Sequence, residues 1–327
     1  MTLDATTTID PAAAAKATGA EPAIRLRATT GKAEWDALIA ASPTPHLVQG
    51  FAYGEGKAAK GWTPKRVVFS RGTTAVAFAT ILELRRFGIR LGSRVNRGPV
   101  FLEPAPSDAT IVGVYRALRR WRGPLLVATA LPMSAASDAL LRRAGFRMQR
   151  RLSWRSGRID VSGSEESIWA SFSSAFRNRY REAEAAGATL RIASDDASFE
   201  WMLERHAENM AEKSFRAVDA DLLRAMRAAS PEDMLVFQLL HGGKPVAGMS
   251  VARFGTHAEY HIGWFGPDGR KVNAGNFLMW NIMREMRRRG VRTFDVGGMK
   301  EGDGYTQFKR TMNAVEYELA GEWMSFF

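Results

Sequence analysis

The feature that most constrains this chain is an order of elements met twice. In the second half, three strand-like runs occupy 234–241, 244–254 and 257–265, joined by Gly242-Gly243 and Gly255-Thr256. Turns this short between β-rich runs predict an antiparallel meander. A long helix over about 276–289 follows, ended by Gly290. Then come an apolar strand in VRTFDVG, a Gly-rich loop, a short helix near 305–311 and a strand near 315–319. Three helices precede the meander. The first starts at a capping-box pattern, Ser162-x-x-Glu165, and carries Ile168, Phe172, Phe176 and Tyr180 as one apolar stripe up to Gly187. The others span about 197–213 and 219–229.

The first half repeats this order more loosely. Helices are expected at about 32–41 and 53–60, and strands at 65–70, 74–84 and 94–102. A helix at 108–121, a strand in PLLVATA, a helix at 135–144 and a strand at 146–154 follow. The two meanders begin about 170 residues apart. The fold class expected is α+β, with two tandem domains, each a mostly antiparallel mixed sheet flanked by helices. Domain one is placed at 23–155 and domain two at 156–327, with a ligand cleft between or beside them. Residues 1–22 have neither the basic start nor the apolar core of a signal peptide and read as a disordered tail.

The chain has 46 Lys and Arg against 34 Asp and Glu, a formal charge of +12. Most of the excess sits between Arg85 and Arg158, which holds 16 Arg, no Lys and three acids. Such a segment suits a polyanion: tRNA, a nucleotide diphosphate or an acidic membrane surface. It is equally the solvated surface of an Arg-rich protein. No aromatic-interleaved RNA-binding pattern and no helix-turn-helix accompanies it, which disfavours a nucleic-acid regulator. The absence of cysteine excludes thiolate nucleophiles, disulfides and Cys-based metal sites and fits a reducing cytoplasm. No run approaches the roughly 18–20 apolar residues that cross a bilayer. Nor is there a heptad stretch for a coiled-coil arm.

Four stretches carry a family resemblance. They are QGFAYGEGK at 49–57, RGPV at 97–100, RNRYREAEAAG at 177–187 and FDVGGMKEGDGYTQFKR at 294–310. The last, with its Asp-x-Gly-Gly loop and Gly-x-x-x-Phe-Lys helix, is the most specific. In this order they resemble the Fem family of peptidoglycan-bridge aminoacyltransferases and the related FemAB-like and BioF2-like proteins, whose fold is a tandem GNAT (acyl-CoA N-acyltransferase) fold. The resemblance implies transfer of an aminoacyl group from aminoacyl-tRNA to an amine of a phosphorylated or lipid-linked cell-envelope precursor. No metal or organic cofactor is implied, and aminoacyl-tRNA or acyl-CoA is the co-substrate. It puts Lys309 in the catalytic position with Phe308 beside it. Lys57, Tyr260, Lys213, Gly298, Gly304 and Tyr305 fall among the substrate contacts. A cytoplasmic enzyme, with peripheral contact to an anionic membrane surface, is the expected setting.

The residues support that chemistry in part. Amine attack on an ester or thioester carbonyl passes through a tetrahedral oxyanion, and a fixed cation or N–H donor lowers the barrier. Lys309 and the backbone around glycines 297, 298, 302 and 304 can supply such donors; a surface lysine and a flexible loop are the plainer readings. Asp295, Asp303 and Glu301 are the candidate bases, although Asp295 equally fits a loop cap. Acyl-CoA enzymes of this fold hold the pyrophosphate on a Gly-rich turn before the long helix. Here that run is RKVNAG, with Asn273 in place of the first Gly and Arg270 and Lys271 as weak phosphate contacts. His257 and His261, four apart in a strand, share a face at about 13 Å, too far for one metal, with Tyr260 on the opposite face. Trp264 and Phe265 read as core. An acyl-CoA-dependent N-acyltransferase of envelope or exopolysaccharide synthesis, and a non-catalytic binding module, are the alternatives.

Overall fold

The computed structural model describes residues 23–121, 123–151, 154–212 and 218–326. The expected tail at 1–22 and the expected contact Lys213 lie outside the described residues. The chain runs β1 (Ile24–Thr29), α1 (Lys32–Ala41), α2 (Phe51–Ala59), β2 (Trp62–Arg71), β3 (Thr74–Arg86), β4 (Ile89–Asn96), β5 (Val100–Phe101), α3 (Asp108–Arg119), β6 (Leu125–Ala128), α4 (Ala135–Arg143) and β7 (Arg147–Arg150). The second half runs β8 (Arg155–Asp160), α5 (Glu165–Ser171), α6 (Ser174–Ala185), β9 (Thr189–Ala193), α7 (Asp196–Glu212), α8 (Ala220–Ala229), β10 (Met234–His241), β11 (Lys244–Phe254) and β12 (His257–Phe265). It closes with α9 (Pro267–Lys271), α10 (Ala274–Arg288), β13 (Thr293–Asp295), α11 (Gly304–Arg310), β14 (Val315–Glu318) and β15 (Glu322–Ser325).

Among the described residues there are two mixed sheets, ordered β1-β2-β3-β4-β6-β15-β7 and β14-β8-β13-β12-β11-β10-β9, with β5 pairing on β3. Each holds one parallel contact at the same place in the pattern, β4 with β6 and β12 with β13, just after the meander. The duplicated α+β layout expected from the sequence is therefore present. The pairing of strands crosses the division expected at 155. Strand β15, which follows β14 in sequence, lies between β6 and β7 of the first sheet. Strand β8, which follows β7, lies between β13 and β14 of the second. Each lobe is completed by the strand that follows the other's last one. Trp323 of β15 is fully buried in the first lobe's core.

Local rules account for most helix starts. The side chains of Ser107, Ser134, Ser164, Ser173, Asp219 and Asp303 each accept an N–H from the first turn of their helices. The helix expected to run unbroken from Ser162 to Gly187 is two. Ser162 bonds Asp160 instead, and Ser164 is the cap of α5. Phe172 is extended, Ser173 restarts the chain as α6, and Arg177 donates back to the carbonyls of Ala170 and Phe172. The stripe Ile168, Phe172, Phe176 and Tyr180 still buries in one cluster, because the break keeps the same face inward. The strand expected over 94–102 is also two. It is interrupted at Arg97, whose φ of 47° lies in the left-handed region.

A third apolar cluster joins the lobes: Trp35, Ile39, Phe78 and Val100 from the first meet Phe199, Met202, Leu222, Met226 and Ala252 from the second. Helix α2 packs on α8 at a close approach. A Cβ on Gly56 would sit 2.8 Å from the Met226 side chain and 2.9 Å from the Leu222 carbonyl oxygen. No helix among the described residues is long and apolar enough to cross a membrane.

Candidate active site

The site begins where β12 and β13 part. They pair in parallel only through His257–Thr293, Ala258–Phe294 and Glu259–Asp295. Beyond that, β12 continues along β11 while the other chain turns through Gly297 and Gly298. Helix α11 drives Lys309 into this gap. Its side chain is enclosed, with 2% of the residue exposed. The ammonium donates to the Gly297 carbonyl at 3.1 Å and the Gly298 carbonyl at 2.7 Å. It lies 5.4 Å from the Tyr260 ring centre and 5.1 Å from that of Tyr305. The two tyrosine hydroxyls hydrogen-bond each other.

Burial lowers the Lys309 pKa to about 8, against the pull of Asp295, Glu259 and Asp303. At neutral pH the group is still mainly the ammonium. Of its three N–H donors, two are fixed on backbone carbonyls and the third has no partner among the described residues. Burial also pushes Tyr260 up to about 12 and raises Tyr305, so both hydroxyls keep their protons.

A rigid polar scaffold holds the loop. Asp295 accepts from the Gly297 N–H at 2.9 Å, the Tyr317 hydroxyl at 2.7 Å and the Ser156 hydroxyl. Ser156 also reaches the Gly297 carbonyl at 2.8 Å. Gly297 adopts φ of 73°, and a Cβ there would lie 2.7 Å from the Tyr260 carbonyl oxygen, so only glycine fits. The three candidate bases are thus occupied. Asp295 braces the loop, Asp303 caps α11, and Glu301 pairs with Arg155 and Arg310.

Two cavities flank this core. One, of about 530 Å³, is lined by Tyr260, Tyr305, His261, His206, Asn209 and Phe265 among others. The other, of about 460 Å³, is lined by Lys57, Tyr53, Arg94, Arg97, Trp154 and Glu322 among others. Arg97, in the lining of the second, forms a buried ion pair with Glu259 at 3.3 Å, and its guanidinium lies 3.8 Å from the centre of the Trp154 ring. Trp154 in turn packs on Gly298, where a Cβ would meet it at 3.2 Å. Burial and the neighbouring Asp295 push Glu259 up, and Arg97 pulls it back down.

The expected site residues therefore divide. Lys309, Tyr260, Tyr305 and Gly298 come together. Lys57 is in the second cavity, 5.5 Å from the Tyr53 ring centre, its pKa lowered by burial and by Arg94. Phe308 packs against Phe176 and Gly275 under the start of α10. Gly304 opens α11 in free space. Arg270 and Lys271 end the short helix α9, where Arg270 donates to the Phe265 carbonyl and Lys271 pairs with Asp268.

Several neighbours were not singled out from sequence: Arg97, Glu259, Trp154 and His261 as a cavity residue. Strict alternation separates Tyr260 from His261. A bulge in the β11–β12 register leaves His261 unpaired between Tyr260 and Ile262, and both Tyr260 and His261 line the larger cavity. Burial holds His261 and His257 neutral, at about 4. Gln49, first residue of the QGFAYGEGK run, is fully buried. Its amide spans the Asn96 carbonyl at 2.5 Å and the Thr80 N–H at 2.7 Å, fixing the strand ends that carry Arg94 and Asn96 to the second cavity.

The duplicated fold has counterparts among known structures. A crystal structure of FemX shares 14% identity over 93% of this chain and 97% of its own, with a TM-score of 0.77. The chain has the tandem GNAT fold. Residues 170–310 match the family model described as acetyltransferase (GNAT) domain. L-PGS from Bacillus licheniformis aligns at 12% identity over 90% and 91% of the two chains, with a TM-score of 0.52. A tandem GNAT protein of the clavulanic acid biosynthesis pathway aligns at 12% over 92% and 98%, at 0.50. No curated protein sequence matches significantly. Residues 170–310 thus match an acetyltransferase domain within a duplicated fold like that of FemX.

Proposed function

We propose that the protein moves an aminoacyl group from aminoacyl-tRNA to an amine of a cell-envelope precursor. The observation that carries this reading is the buried Lys309 ammonium, pinned by two carbonyls with one N–H to spare. The acceptor amine attacks the ester carbonyl carbon, and its oxygen becomes an oxyanion that takes that third N–H. Collapse forms the amide and breaks the C–O bond to the tRNA ribose. The proton lost by the amine balances the one gained by the ribose oxygen. Because the carboxylates nearby are occupied, the proton is passed between the substrates. The neutral His257 and His261 add no positive charge against an aminoacyl ammonium.

The larger cavity, beside Lys309, takes the aminoacyl end in this reading, and Lys57, Arg94 and Arg97 receive a phosphorylated acceptor in the other. Phe308 supports the helix that carries Lys309. A tRNA donor rather than acyl-CoA is favoured by the start of α10. Its cap position Asn273 donates to the Glu182 carboxylate at 2.9 Å, and Arg270 and Lys271 are already engaged. A carboxylate at a helix N-terminus repels a pyrophosphate.

The test is mass spectrometry of products after incubation with charged tRNA and candidate amines, with and without RNase, beside a parallel arm with acyl-CoA. Product lost on RNase treatment supports the proposal. Product formed from acyl-CoA with RNase present assigns the alternative donor, and no product in either arm favours a binding module.

A further inference from the structure

The β3–β4 hairpin is unlike the rest of the surface. Of the eight large apolar residues exposed among those described, four lie within it: Leu84 at 40%, Phe87 at 90%, Ile89 at 67% and Leu91 at 53%. They share one projecting tip. The turn is Phe87-Gly88, with φ of 51° and 76°. The left-handed region disfavours a bulky aromatic and suits Asn or Gly, so this turn holds its phenyl ring in solvent at a conformational cost.

Cations surround the tip. Arg85 and Arg90 both hold the Glu83 carboxylate, at 2.8 Å each, and Arg86 lies 5.4 Å from the Phe87 ring centre. Three arginines thus face one acid, whose side chain is buried. Trp121, just past α3, lies 5.9 Å from the Arg90 guanidinium, and Arg119 and Arg120 precede it.

We propose that this hairpin docks the protein on an anionic lipid bilayer, with Phe87, Ile89 and Leu91 entering the acyl boundary and the arginines on lipid phosphates. An apolar tip flanked by Arg85, Arg86 and Arg90 matches the two layers of such a surface, apolar below and phosphate above. Leu82 and Arg94, on the same two strands, line the cavity that holds Lys57, so docking brings that cavity near the membrane plane. The proposal does not depend on the acyl donor, and its readout is independent of turnover.

The full chain is sedimented with phosphatidylcholine vesicles, with and without a one-third share of phosphatidylglycerol. Binding is expected only to the anionic vesicles and is weakened by salt. Phe87→Ser with Ile89→Ser, on an exposed turn, is expected to keep the native circular dichroism and lose more than about tenfold in partitioning. Arg86→Ala is expected to lose about fivefold. Because the chain has no cysteine, Leu91→Cys carrying an environment-sensitive dye reports this site alone, and its emission is expected to shift to the blue on anionic vesicles. Equal partitioning of wild type and the double variant, an unshifted dye, or no binding of wild type overturns the proposal. So does a wild-type dimer that the double variant converts to monomer, which would make the tip a contact between copies.

Discussion

Lys309 combines a buried charge with a fixed position, and the two properties have opposite effects on stability. Its pKa is about 8 when folded and 10.5 ordinarily. Between those values the unfolded chain binds more protons than the native one, so stability rises with pH across that window. The cost of the buried ammonium is complete below about pH 8 and corresponds to about 3 kcal/mol. Lys309→Met should therefore gain on wild type in urea unfolding at pH 7, and that advantage should shrink as pH is raised toward 10. An advantage unchanged with pH would mean that the ammonium is not what titrates. Arg97 is the opposite case. Removing it strands Glu259 in the interior, and Arg97→Ala should cost about 3–5 kcal/mol at neutral pH in the same measurement.

Elements show where local chemistry decides and where it does not. Helix α2 contains Gly54 and Gly56, poor helix formers that propensity alone would replace. Gly56→Ala should gain about 1 kcal/mol of propensity yet lose more through the 2.8 Å approach to Met226 and 2.9 Å to the Leu222 carbonyl. A net loss of about 1–2 kcal/mol in urea unfolding is expected; a gain would mean that α8 shifts freely. The meanders and most helices were legible in the sequence because turns, caps and stripes are written within a few residues. The break at Phe172-Ser173 was hidden because the apolar stripe runs through it. Lys309 was singled out through the Phe-Lys signature, and the structure places it in the gap beside Tyr260 and Tyr305. The Arg97–Glu259 pair and the Trp154–Gly298 contact were not, since their partners are more than a hundred positions apart and no local pattern links them.

At the scale of the molecule, the exchange of β8 and β15 makes the lobes interdependent. A short EWMS run carries no sign of which sheet it joins, so this tie was beyond sequence reasoning. Trp323 fills the first lobe from the end of the second, and Trp323→Ala should cost about 3–5 kcal/mol. Calorimetry of the wild type should show one cooperative transition, and two separate transitions would contradict this interdependence. The same arrangement explains why the site is built at the junction. Lys309 rests on a loop braced by Ser156 of β8, and the second cavity is closed by Glu322 of β15.

The proposed chemistry rests on the Lys309 ammonium stabilising the oxyanion of acyl transfer. The most direct measurement is kcat for wild type and Lys309→Met with the donor that supports turnover, across pH 6–9. A loss of about 10²–10³-fold is expected in the variant, together with a wild-type rate that falls as pH rises through about 8. Equal kcat values for the two proteins would contradict it.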